Sequence, residues 1–194
     1  LGNNRRAIVA MLKRRYILAL GIIMIMLISS EAVVQHALQF EQDDSRVINI
    51  AGRQRMLSQK INKAALGLYF SSDSAQRAMY HYELYNAVNL WQQAHFGLQM
   101  SNKSMGLPGN NSPKIAQMFS NIEPNYQAMV EIALQIVDLG PEYSSEDRRK
   151  LFAHLQTLQS NESAFLVGMD AIVFQYDLEF REKIKDIRSL EIII

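Results

Sequence analysis

Long amphipathic stretches with few breakers, one clear Gly- and Pro-rich loop and an apolar run near the N-terminus predict an all-α chain. The expected architecture is an antiparallel up-down four-helix bundle with membrane-spanning helix extensions, working as a parallel homodimer. No strand pattern competes, and the 194 residues carry only four prolines.

The extension is read from charge and hydropathy. Arg5, Arg6, Lys13, Arg14 and Arg15 lead directly into Tyr16–Ser30, which continues as Glu31-Ala32-Val33-Val34. Together this approaches the roughly 20 residues of a bilayer-crossing helix. Basic residues ahead of the run place the N-terminus in the cytoplasm and the chain beyond the run outside. A cleavable signal peptide is the competitor, but Ser29-Ser30 followed by Glu31-Ala32-Val33 matches a cleavage site poorly. Leu190-Glu191-Ile192-Ile193-Ile194 reads as the start of a second apolar run. The expected organisation is a basic cytoplasmic segment at 1–15, a membrane helix at 16–34, an extracytoplasmic four-helix domain at 35–189 and the beginning of another membrane helix at 190–194.

Within 35–189, helix one runs to about Phe70. Ser71-Ser72-Asp73-Ser74 breaks it, with Asp73 as N-cap of helix two and Gln76 in the capping-box position. Helix two extends to about Asn102. The loop Ser104–Pro113 comes next, and Ser112-Pro113 makes an N-cap and first-turn pair for helix three. Pro124 is expected to bend helix three, and Gly140-Pro141-Glu142-Tyr143 ends it. Ser144 with Asp147 starts helix four. Apolar stripes recur at helical spacing: Ile115, Phe119, Ile122, Tyr126, Met129, Ile132 and Ile136 on helix three, and Leu151, Leu155, Leu158, Phe165, Ile172, Tyr176 and Phe180 on helix four.

Several function classes drop out. A formal net charge of +1 does not suit a nucleic-acid binder, and zero cysteines remove disulfides, thiolate metal sites and cysteine nucleophiles. His36, His81, His95 and His154 are too scattered for a metal centre. No catalytic constellation or cofactor motif appears. Trp91, Tyr80, Tyr82, Tyr85 and Phe96 on helix two could form an aromatic cage, but such spacing is more often core.

The unusual segment is Asn49–Lys60, where a glycine, three arginine or lysine residues and two glutamines sit inside a helix. Glycine there costs about 1 kcal/mol relative to alanine, so a close approach by another backbone or a ligand is expected at Gly52. With Ile50 as reference on a helical wheel, Ile50, Leu57, Ile61, Ala64 and Leu68 face the core. Ile48, Gly52, Arg55 and Gln59 project from nearly the opposite side, with Asn62 close by. A two-fold contact on that second face would bring Arg55 near its own copy, which a planar oxyanion between the two guanidinium forks would turn into attraction. The competing reading makes Arg53, Arg55, Lys60 and Lys63 a solvated basic face.

Asn49, Ala51, Gly52, Arg55, Met56 and Ser58, in that order and spacing, make the segment Ile48–Lys60 resemble the signature of the type IV pili methyl-accepting chemotaxis, or PilJ-type, N-terminal sensor domain. That domain is related to the P-box of nitrate and nitrite sensor kinases. The chain departs from the kinase form at Arg53, Leu57 and Gln59, and Arg53 points to an internal salt bridge. The resemblance implies the periplasmic sensor domain of a bacterial inner-membrane receptor, a four-helix bundle that dimerises through its first helix and holds nitrate or nitrite with the Gly52 backbone and Arg55; with no catalytic constellation in the sequence, no enzyme activity is expected of the chain itself. Ile48 and Gln59 are the accompanying site candidates, with Arg53, Asn49 and Ser58 as secondary ones. The expected partners are thus a small anion, a membrane and a second copy, for a signalling receptor of two-component or chemotaxis type. The alternative is a structural or protein-interaction bundle without a small ligand.

Overall fold

The computed structural model describes residues 2–191, with the side chains of 9–32, 34–35 and 45–186. Four long helices follow one another: α1 (Gly2–Phe70), α2 (Ser74–Met100), α3 (Pro113–Leu139) and α4 (Ser145–Glu191). The chain divides into two units, residues 1–42 and 43–194.

The first unit is the N-terminal part of α1. Its described apolar side chains are exposed all round, Ile17, Leu18, Ile22, Met24, Ile25 and Leu27 among them. No helix among the described residues is long and apolar enough to cross a membrane. The uncharged run Tyr16–Ser30 is bounded by Arg15 and Glu31 at 15 residues, against the roughly 20 that a bilayer requires. The expected span 16–34 continues past Glu31 through Val33, whose side chain lies outside the described residues. So do the side chains of the expected run at 190–194.

In the second unit the four helices share one core, and the links between them fix their directions. The start of α2 meets the end of α3 through His81 Nε2 and the Val137 carbonyl at 2.8 Å, while His95 further along α2 meets Glu123 earlier in α3. Ser112 at the start of α3 bonds Glu179 late in α4, and the Tyr143 hydroxyl just before α4 donates to the Leu68 carbonyl at the end of α1. Each helix is therefore antiparallel to the next.

The helix starts are made by side chains that satisfy the free N–H groups of the first turn. Asp73 accepts from the Gln76 amide at 2.9 Å. The Gln76 side chain pairs with Ser71 Oγ, so the expected reciprocal box is replaced by a longer bridge. Ser112 caps α3 with Pro113 in its first turn. Ser144 and Asp147 exchange bonds in both directions, a complete capping box for α4. Two glycines allow backbone that other residues resist: Gly106 (φ 65°) closes a 3-10 turn at Lys103–Met105, and Gly140 (φ 74°) ends α3. Helix α2 stops at Met100, two residues before expected, because Ser101 turns to φ 95° and Asn102 bridges to Leu107. Pro124 lies inside α3, which continues through it to Leu139.

The core stripe of α1 is broader than the wheel suggested. Val47, Ala51, Gln54, Ser58, Ile61, Ala65 and Leu68 are buried, alternating four and three residues apart, together with Leu57 and Ala64. Ile50, taken as the centre of that stripe, is only half-buried, and Asn62, placed near the outer face, is buried. Trp91 of α2 is fully buried and meets the rings of Tyr126 (α3) and Phe165 (α4) edge-on at 4.7 and 4.9 Å. The aromatic-cage alternative fails: Tyr82, Tyr85 and Phe96 point outward, and Trp91 is core.

Two helical glycines have opposite surroundings. A Cβ at Gly168 would collide with Ile122 Cγ2, whereas a Cβ at Gly52 would have nothing within 4 Å. Gly168→Ala is expected to destabilise the bundle by about 1–2 kcal/mol, overpacking outweighing the gain in helix propensity. Gly52→Ala is expected to stabilise it by about 1 kcal/mol. Denaturant melts of the two variants check the opposite signs.

Candidate functional site

The motif segment of α1 borders α4, and between them lies an open concavity of about 390 Å³ lined by Gly52, Arg55, Met56, Gln59, Leu166, Val167 and Asp170. A second concavity of about 520 Å³ adjoins it, sharing Val167 and Asp170 and adding Ile48, Ala171, Val173, Phe174 and Asp177. The four leading candidates thus come together: Gly52, Arg55 and Gln59 line the first, and Ile48 the second. Apart from the neighbouring backbone of α1 itself, no atom of the described residues lies within 4 Å of where a Gly52 side chain would begin, so the close approach expected there is not made by those residues.

The centre of the groove is an ion pair. Arg55 Nη1 donates to Asp170 Oδ1, with the two side chains 44% and 66% exposed. At such exposure the pair contributes about 0–1 kcal/mol, so it shapes the groove's charge more than the bundle's stability. Around it the surface is apolar, with Val167 at 70% and Phe174 at 63% exposure and Met56 half exposed.

The secondary candidates separate. Ser58 is fully buried, and its hydroxyl donates to the Arg55 carbonyl at 2.8 Å. It is a core position, since its place in the four-three alternation turns it inward. Asn49 and Arg53 are exposed and line neither concavity. Arg53 forms no ion pair among the described residues, so the salt bridge expected of it is absent there. Asp170 was missed by sequence reasoning, as was the outward strip Val167, Ala171, Phe174 and Leu178 on α4. Its four-three-four spacing, beside the core stripe Phe165, Met169 and Ile172, is the signal that could have found it.

A second polar cluster lies inside. His95, buried, donates from Nε2 to Glu123 at 3.0 Å and stacks on Tyr126 with ring centroids 3.6 Å apart. Burial pushes the His95 imidazole below its ordinary value of 6.5, outweighing the upward pull of Glu123. The folded state thus binds this proton less readily than the unfolded chain. Its contribution is complete above pH 6.5 and is lost as pH falls below that value. Melting temperature is expected to drop between pH 7.5 and 5.5, and His95→Leu to flatten part of that slope. The His36 side chain lies outside the described ones, and among the described residues no cluster could hold a metal ion.

Residues 36–154 match the family described as PilJ, type IV pili methyl-accepting chemotaxis transducer N-term. The chain belongs to the PilJ family. No curated protein and no solved structure gives a significant match. The family places this PilJ domain with the sensory N-terminal portions of chemotaxis transducers. The matched segment includes Ile48, Gly52, Arg55 and Gln59 but ends in the first part of α4. The α4 wall of the groove, with Asp170, is thus this chain's own sequence beyond the match.

Proposed function

We propose that this PilJ domain is the extracytoplasmic input of a bacterial membrane receptor, and that two copies meet on the α1–α4 face to hold a small planar anion, nitrate or nitrite, between their Arg55 side chains. The observation that carries the reading is the groove. A half-exposed guanidinium sits at its centre, a side-chain-free helix position opens beside it, and exposed apolar residues flank it. Apolar surface around a charged centre suits a face that a second copy covers.

The membrane part of the reading is supported by the N-terminal segment. A helix with apolar side chains on every side needs an apolar surrounding, and basic residues ahead of it favour a membrane location with the sensor outside; the uncharged run of 15 residues falls short of a full crossing, so a span would have to take in Glu31. Anion binding would act by shifting the population between two dimer arrangements that differ in the relative positions of α1 and α4. The domain carries out no catalysis in this reading. The protein-interaction alternative has its own support in the exposed Tyr82, Phe96 and Met100 of α2.

The test is a thermal melt of the chain with sodium nitrate, nitrite, sulfate and chloride. A rise in Tm specific to a planar anion supports sensing, and equal responses to all four salts contradict it.

A further inference from the structure

The groove proposed to take an anion already contains one. Arg55 donates to the Asp170 carboxylate, and among the described residues of both concavities Arg55 is the only cation. Asp177, further along α4, pairs with Arg181 at 2.9 Å. With Asp170 in place the Arg55 site has no net charge to offer. An incoming anion gains little by adding itself to the pair, and a dianion would be repelled twice as strongly by the carboxylate as a monoanion.

We propose that Asp170 is the resident counter-anion of the Arg55 site, a carboxylate that a bound planar monoanion displaces and that sets the site's selectivity by valence. This rests on the reading of Arg55 as an anion-binding residue. Three features of the pair support it. A carboxylate is a flat, Y-shaped oxyanion with two acceptor atoms, close in shape and equal in charge to nitrite and nitrate, so either could take its place on the guanidinium. Only one guanidinium nitrogen bonds to it, leaving the rest of the fork available as an exchange begins. Both side chains are exposed enough to separate without opening the core.

The same contact explains how paired subunits could remain together without ligand. Two bare guanidinium groups across a two-fold axis repel, but two Arg55–Asp170 pairs present no net charge to each other. Ligand entry would then exchange an intrachain pair for an anion shared between subunits. That exchange releases Asp170 from Arg55, and the loss of this one side-chain link between the packed helices α1 and α4 becomes the signal.

The experiment is calorimetric titration of nitrate and of sulfate into the full chain in detergent, for the unaltered protein, Asp170→Asn, Asp170→Ala and Arg55→Ala. Both Asp170 variants are expected to bind nitrate about tenfold more tightly, combining release of a weak exposed pair with removal of like-charge repulsion. Sulfate binding should improve by a larger factor, so the nitrate preference narrows. Asp170→Asn keeps the side chain's shape, so that change cannot come from a packing defect. If Arg55→Ala abolishes nitrate binding while the Asp170 variants bind it no more tightly than the unaltered chain, the counter-anion role is overturned and the anion-sensing reading survives. If neither the unaltered chain nor the Asp170 variants bind nitrate, both fall.

Discussion

Trp91→Ala is expected to destabilise the bundle by about 3–5 kcal/mol, the largest loss expected of a single substitution in this core. Trp91 is fully buried near the middle of α2 and is touched edge-on by rings from two other helices, Tyr126 and Phe165. Removing the indole strips contacts from α3 and α4 together. The cavity cannot close easily, because its walls are rigid rings held by His95 stacking on Tyr126 and packing against Phe119. Trp91→Phe keeps much of the ring contact and is expected to cost less than half as much. Chemical denaturation followed by circular dichroism reads both. A loss under about 1 kcal/mol for Trp91→Ala would mean that the three helices do not converge there.

The helices were legible because their signals are local. Asp73, Ser112 and the Ser144–Asp147 pair each cap the helix they were expected to start, and the α3 stripe from Ile115 to Ile136 lies inward. What could not be read was how far the buried arc of α1 extends. Gln54 is fully buried with both amide atoms lacking a partner among the described residues, and Ser58 and Asn62 lie inward too. On a wheel referenced to Ile50, Asn62 falls about 120° away and so reads as outside, but the buried arc is turned toward it, past Gln54 and Ser58, polar residues that ordinarily face water. The grouping of Gly52, Arg55 and Gln59 was legible because it arises from helical spacing within one helix. Asp170 was not, since nothing in α1 says which residue of α4, 115 positions away, will stand opposite. Partner choice across a bundle depends on the register of two helices, and that is a tertiary property.

Arg55→Ala is expected to weaken nitrate binding on the order of 30- to 100-fold, or about 2–3 kcal/mol, as charge-assisted hydrogen bonds are lost. Its effect on the fold should be small, because the pair it makes with Asp170 is largely exposed. Arg55→Lys keeps the charge but not the fork, so binding between the two extremes is expected. Titration of nitrate together with a denaturant melt separates the outcomes. A variant that loses binding and keeps its stability places Arg55 in recognition. One that loses both assigns it to the scaffold.

Anion sensing by this domain requires the α1–α4 face to meet its own copy around Arg55. The chain has no cysteine, so a single introduced thiol reports proximity to its twin without background. Gln59→Cys lies in the groove one turn from Arg55, and Gln117→Cys, exposed on α3, serves as control. Oxidative cross-linking of the full chain in membrane vesicles, with and without nitrate, is the direct measurement. A disulfide-linked dimer is expected for Gln59→Cys, with a yield that changes on adding nitrate, and little for Gln117→Cys. Efficient cross-linking at Gln117 with none at Gln59 would contradict it.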